Sequence, residues 1–306
     1  MTSGLLTQQM FDGSRSALAR LLSRVENSPE GADEVLRSLG GKIGRAVRIG
    51  FTGPPGAGKS SLVTAYTKLL RARSKLVAVL AVDPTSPFSG GALLGDRVRM
   101  NAIGLDPGVF VRSLATRGDL GGLSQAAGDM ADVLDAAGFD YILFETVGVG
   151  QSELEVVQYA DSVVVVLVPE SGDAIQGMKA GLMEAADVFC VNKADREGAD
   201  RFTSDLQGAM MLKHWDVWKP PVVNTVATRE TGISELAGQI EAHLTHLRDS
   251  GDFEKRRHSH ARRRIQRMLE KRLVAQFWTE EHQRLMDDSL SKGESPYTIL
   301  SLLLKS

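Results

Sequence analysis

The sequence predicts an α/β chain on a doubly wound, mostly parallel sheet, with helical extensions at both ends. Three observations carry that reading. Apolar runs recur at 46–52, 76–82, 109–112, 141–146, 162–168, 187–192 and 222–226. Most are continuous rather than alternating, the pattern of strands covered on both faces by helices. Helix-like stretches separate several of them, at 60–72, 122–137 and 175–185, as expected of strand–helix–strand units. A glycine-rich loop, Gly53 to Ser60, joins the first run to the first of those helices.

In chain order, residues 1–45 read as a helical extension. Leu18, Leu21, Leu22 and Val25 share a helix face that Ser14 is placed to cap, and a second helix over 30–39 stops at Gly40-Gly41. Residues 46–250 form the sheet domain. From about 230 the strand signals fade, and 233–248 and 253–288 read as helices. Within the latter, Ile265, Leu269, Leu273 and Phe277 recur every four residues, which suits a packed helix or half of a contact between copies. Residues 251–306 are therefore a C-terminal helical arm, interrupted at Gly293 to Pro296 and closed by an apolar tail.

Composition narrows the function classes. The 306 residues are 42% hydrophobic and 24% charged, ordinary for a globular protein, and aromatics are scarce at 6%. With Lys+Arg 36 against Asp+Glu 38, the net charge of −2 argues against a nucleic-acid binder that works through its overall field. The basic stretch 255–272 has no interleaved aromatics and reads as a solvated helix face or an acidic-partner surface. Cys190 is the single cysteine, so no intramolecular disulfide or multi-cysteine metal site is possible. Its apolar strand marks it as an inert core residue. No apolar run is long enough for a membrane helix, and no signal-peptide pattern opens the chain, so a cytoplasmic protein is expected.

The chemistry starts at Gly53-Pro54-Pro55-Gly56-Ala57-Gly58-Lys59-Ser60, a G-x-x-x-x-G-K-[ST] between strand and helix. Backbone N–H groups of such a loop, with Ser61 beyond it, cradle phosphate oxygens at a helix N-terminus. Lys59 is placed for the β- and γ-phosphates and the Ser60 hydroxyl for Mg²⁺. Asn192-Lys193-Ala194-Asp195 follows a later apolar run. The Asp195 carboxylate suits the N1–H and 2-amino donors of guanine, and adenine offers no such pair. Lys193 is placed to lie over the base. Val226, Ala227 and Thr228 stand where a backbone N–H would meet the guanine O6. These motifs imply GTP and GDP as ligands.

Candidate metal and hydrolysis groups are acidic. Asp83 ends the second apolar run, Asp96 follows Gly95, and Glu145 ends Tyr141-Ile142-Leu143-Phe144. Carboxylates around a triphosphate suit Mg²⁺, directly or through its waters. Gly148 is placed to bring its N–H to the γ-phosphate. Lys59, Asp83, Glu145 and Gly148 are thus the catalytic candidates. Val149 stands where the usual GTPase pattern has a catalytic Gln, so slow intrinsic turnover, open to acceleration by a partner, is expected.

Together VDPTSPFSGGALLGDR (82–97), ETVGVGQSE (145–153), ESGDAIQGMKAG (170–181) and NKAD (192–195) resemble the MeaB/ArgK family. Its members are GTPase chaperones of adenosylcobalamin-dependent acyl-CoA mutases. The resemblance implies a P-loop GTPase domain, Mg²⁺ dependence and a homodimer that uses the C-terminal arm. It also implies a mutase partner whose cofactor loading is gated and which is protected from inactivation. Residues 85–97, 145–153 and 170–181 would be switches, with Asp173, Gln176 and Lys179 sensing the partner. No D-x-H-x-x-G stretch is present, so cobalamin is expected on the partner. Neither nucleic acid nor membrane is expected as a partner. Two rival readings are a nickel-type metal-insertion GTPase and a kinase linked to basic amino-acid transport.

Overall fold

The computed structural model describes residues 2–84, 101–116, 122–146, 156–171, 180–215 and 217–305. The chain divides into two compact units, Met1–Glu254 and Lys255–Ser306.

The first unit opens with α1 (Ser3–Phe11), α2 (Arg15–Asn27) and α3 (Pro29–Ser38). Ser14 caps α2 by accepting the Ala17 N–H, and Ser28 caps α3 through the Gly31 N–H. Next come β1 (Val47–Thr52), α4 (Lys59–Ala72), β2 (Val77–Pro84), the single turn α5 (Asn101–Gly104) and β3 (Val109–Thr116). Then follow α6 (Gly122–Ala136), β4 (Tyr141–Thr146), β5 (Ser162–Leu167), α7 (Ala180–Ala185) and β6 (Val188–Asn192). The unit ends with α8 (Ala199–Met211), β7 (Val222–Thr225) and α9 (Ile233–Asp249).

Among the described residues the sheet has seven strands in the order β3-β2-β4-β1-β5-β6-β7, every neighbouring pair parallel. The continuous apolar runs are explained by burial on both faces. Val164 and Val166 of β5 enter one core with α4 and α9, while Val163, Val165 and Leu167 enter another with α7 and α8. A third core joins Leu18, Leu21, Leu22 and Val25 of α2 to Met130, Val133 and Leu134 of α6. The N-terminal helices therefore pack onto the sheet's own covering helix.

Carboxylates fasten the amino edge of the sheet. Asp140, Asp161 and Asp187 each sit one residue before a strand. They accept the backbone N–H of Leu76 (2.8 Å), Arg48 (2.9 Å) and Val163 (2.8 Å), tying neighbouring strands together. Asp135 on α6 accepts the N–H groups of Gly44 (2.7 Å), Arg45 and Ala46 (both 3.0 Å), anchoring the entry to β1. The carboxyl edge is left to the loops that carry the sequence motifs.

The second unit holds most of α10 (Asp252–Phe277), then α11 (Glu280–Ser291) and α12 (Pro296–Leu303). The single helix expected over 253–288 is two. Thr279 takes extended dihedrals and accepts the His282 N–H, an N-cap that starts a new helix after Phe277. The apolar tail is helical, capped by Ser295 with Pro296 in the first turn. The stripe on α10 is exposed, with Ile265 at 65%, Leu269 at 55% and Leu273 at 54%.

Candidate nucleotide site

The site forms at the carboxyl edge of the sheet. There β1 lies between β4 and β5, and the strand order reverses direction about it, the place where open α/β sheets leave a crevice. The loop from β1 to α4 is held by close backbone approach. Gly53 has φ +135, and a Cβ there would lie 2.1 Å from the Val166 carbonyl oxygen. Gly58 has φ +85, and a Cβ there would lie 2.5 Å from Asn192 Nδ2. Glycine at both positions is required by space as well as by dihedral angle.

Lys59 is buried inside this loop. Its Nζ donates to the carbonyls of Gly53 (2.7 Å) and Pro54 (2.9 Å). The ammonium is thus held in the mouth of the loop at the first turn of α4, where cation, helix dipole and first-turn N–H groups add up to an anion site. Ser60, one residue on, donates through Oγ to Glu145 Oε1 at the end of β4. Glu145 is 5% exposed. Thr146, next along, donates to Thr52 Oγ1 (3.2 Å), tying the ends of β4 and β1 together. The hydroxyl of Ser60 and the carboxylate of Glu145 are hard oxygen donors in contact with each other, a donor set that fits Mg²⁺.

The second half of the site is organised by Asn192, which is 2% exposed. Its Nδ2 donates to the Ala57 carbonyl (2.9 Å). Its Oδ1 accepts from Thr225 Oγ1 and from the Ala227 N–H, each at 3.1 Å. One side chain therefore binds the phosphate loop to the turn after β7. Lys193 has φ +59 and reaches back to the Gly56 carbonyl (2.8 Å), so in this structure it bridges to the phosphate loop. Asp195 is half-exposed, with the Arg229 guanidinium 3.5 Å from its Oδ2.

The structure brings the sequence-predicted residues Gly53, Pro54, Gly56, Ala57, Gly58, Lys59, Ser60, Glu145, Asn192, Lys193 and Ala227 into one linked set. Within the turn 226–228, from which a backbone N–H toward a guanine oxygen is expected, the Ala227 N–H is donated to Asn192. The backbone of Asp83 lies in β2 two residues beyond Ala81, the register partner of Glu145. Asp96, Gly148, Asp173, Gln176 and Lys179 lie outside the described residues, as do most of the expected switch segments. At the start of the third, Glu170 accepts from the Arg196 guanidinium, which holds its carboxyl below the usual range. Sequence reasoning missed Thr225 and Arg229. Their signal was position alone: the last residue of β7 and the turn after it.

Comparison with known proteins agrees with this geometry. Residues 18–282 match the family described as methylmalonyl-CoA mutase-associated GTPase MeaB. A putative GTPase of Pyrococcus abyssi is 46% identical over 98% of this chain and 95% of its own length. The mitochondrial methylmalonic aciduria type A homolog of Mus musculus is 33% identical over 90% of this chain and 68% of its own. The crystal structure of an LAO/AO transport system kinase superposes with a TM-score of 0.76 at 27% identity, covering 99% of this chain and 96% of that one.

Proposed function

The chain belongs to the MeaB family of methylmalonyl-CoA mutase-associated GTPases, and from that premise we propose that it is a Mg²⁺-dependent GTPase chaperone of a B12-dependent acyl-CoA mutase. In this reading it gates loading of the cofactor onto the mutase, methylmalonyl-CoA mutase or a close relative, and protects the loaded enzyme. The family match over 18–282 carries the proposal, and the mammalian relative supports the link to methylmalonyl chemistry.

The site supplies the parts such an enzyme needs. Lys59 and the N–H groups of Gly53 and of 56–61 hold the phosphates, and their positive ends oppose the charge that builds on the transferring group. Ser60 and Glu145 would hold Mg²⁺, with Asp83 and Asp96 acting on its shell. When bound, the ion would neutralise charge on the phosphate oxygens. Asp195 reads the N1–H and 2-amino groups of guanine, and Lys193 together with the turn 226–228 frames the base. Gly148 meets the γ-phosphate. Asp173, Gln176 and Lys179 sense the mutase, and the arm 251–306 pairs two copies through the exposed stripe on α10.

The test is steady-state hydrolysis of GTP and of ATP by the full chain, alone and with each of a panel of adenosylcobalamin-dependent acyl-CoA mutases. Slow turnover of GTP only, accelerated by one mutase, is expected. Equal use of ATP, or indifference to every mutase, would overturn the proposal.

A further inference from the structure

We propose that Arg229 acts as an internal stand-in for guanine, occupying the base-reading carboxylate of Asp195 until the nucleotide displaces it. The inference rests on the assignment of Asp195 as the guanine reader. Arg229 lies in the short turn after β7, with a guanidinium nitrogen 3.5 Å from Asp195 Oδ2. A guanidinium and the N1–H/2-amino edge of guanine are the same chemical fragment, a planar fork of N–H donors that fits a carboxylate. The two therefore compete for one acceptor.

The turn that presents Arg229 is closed on itself. Val226 N–H donates to the Thr231 carbonyl (3.1 Å) and Thr231 N–H to the Val226 carbonyl (3.3 Å). Arg229 N–H donates to Val226 O (2.9 Å). Glu230 is held at φ +56, and its carboxylate pairs with Lys68 on α4 (2.7 Å). Asn192 fixes the other end of the turn through the Ala227 N–H. Arg229 is thus delivered to Asp195 by a braced loop. Its side chain is 70% exposed, so it is free to swing out when the base arrives.

Competition of this kind weakens guanine binding by the strength of an exposed ion pair, up to about fivefold at low salt, and less as salt screens the pair. Adenine nucleotides do not use Asp195, so the ratio of GDP to ADP affinity isolates the effect from long-range attraction of the phosphates. The experiment titrates GDP and ADP into the full chain and into Arg229→Ala, Asp195→Ala and the double variant, at low and high salt. Arg229→Ala is expected to raise the GDP:ADP ratio by up to about fivefold at low salt and hardly at all at high salt. In the Asp195→Ala background the same substitution is expected to change nothing. A ratio that falls or stays level in Arg229→Ala at low salt overturns the proposal while leaving the base assignment standing. An Asp195→Ala chain that keeps the parent ratio overturns the base assignment, and the proposal with it.

Discussion

Removal of the Asn192 side chain tests how the two halves of the site are joined. In Asn192→Ala, the Ala57 carbonyl and the Ala227 N–H lose their partner, and the Thr225 hydroxyl must turn elsewhere. Both backbone groups are buried. A buried polar group left without a partner costs about 1–3 kcal/mol, so two imply a loss of about 3 kcal/mol once partial relaxation is allowed. Urea unfolding of the nucleotide-free chain reads this directly. GDP affinity is expected to fall further, because the phosphate loop and the turn after β7 are then no longer held at one spacing. A loss below about 1 kcal/mol would refute the reasoning, since water would then be replacing all three bonds at little cost. Asn192→Asp sharpens the test. It keeps the acceptor oxygen but sets a second oxygen against the Ala57 carbonyl, 2.9 Å away. The protonated acid donates to that carbonyl and the anion cannot, so the folded pKa of the new group rises above its unfolded value. The stability it contributes is present below the unfolded pKa and is lost as pH rises through the folded one.

Other outcomes follow from single contacts. Gly53→Ala places a Cβ 2.1 Å from the Val166 carbonyl at φ +135, so a loss of about 3 kcal/mol or more and of GDP binding is expected in the same assays. The Glu170 carboxyl, held low first by its hydrogen bond from Arg196, contributes stability above its unfolded pKa, lost as pH falls through the folded one. An NMR titration should place its midpoint below the ordinary Glu range and show it returning in Arg196→Ala, and an unmoved midpoint would dismiss the pair. Cys190 is fully buried, hydrogen-bonded with Thr225 (3.2 Å), and burial pushes its thiol up to about 12. A thiol reagent at pH 8 should label it only in denaturant, and prompt labelling of the native chain would contradict the assignment as inert.

Much of the fold was legible because its signals are local. The continuous apolar runs at 141–146 and 162–168 mark strands buried on both faces, and those strands are β4 and β5. The phosphate loop was legible for the same reason: its glycines, Lys59 and Ser60 are consecutive, and the helix they open is their own. The helix break at Thr279 is also local, a Thr N-cap followed by Glu280 and Glu281 in the first turn, set inside a longer periodic stretch.

Chain spacing alone specified the glycine-rich strand–loop–helix and the succession of strands and helices along the chain. Contacts between residues far apart in the chain were decided by the tertiary structure, because hydrogen bonds between loops depend on which strands become neighbours. Ser60 meets Glu145 across 85 residues and Asn192 meets Ala57 across 135, once β1 lies between β4 and β5. Asp195 and Arg229, ordinary surface charges in sequence, face each other only because β6 and β7 pair in parallel and end side by side.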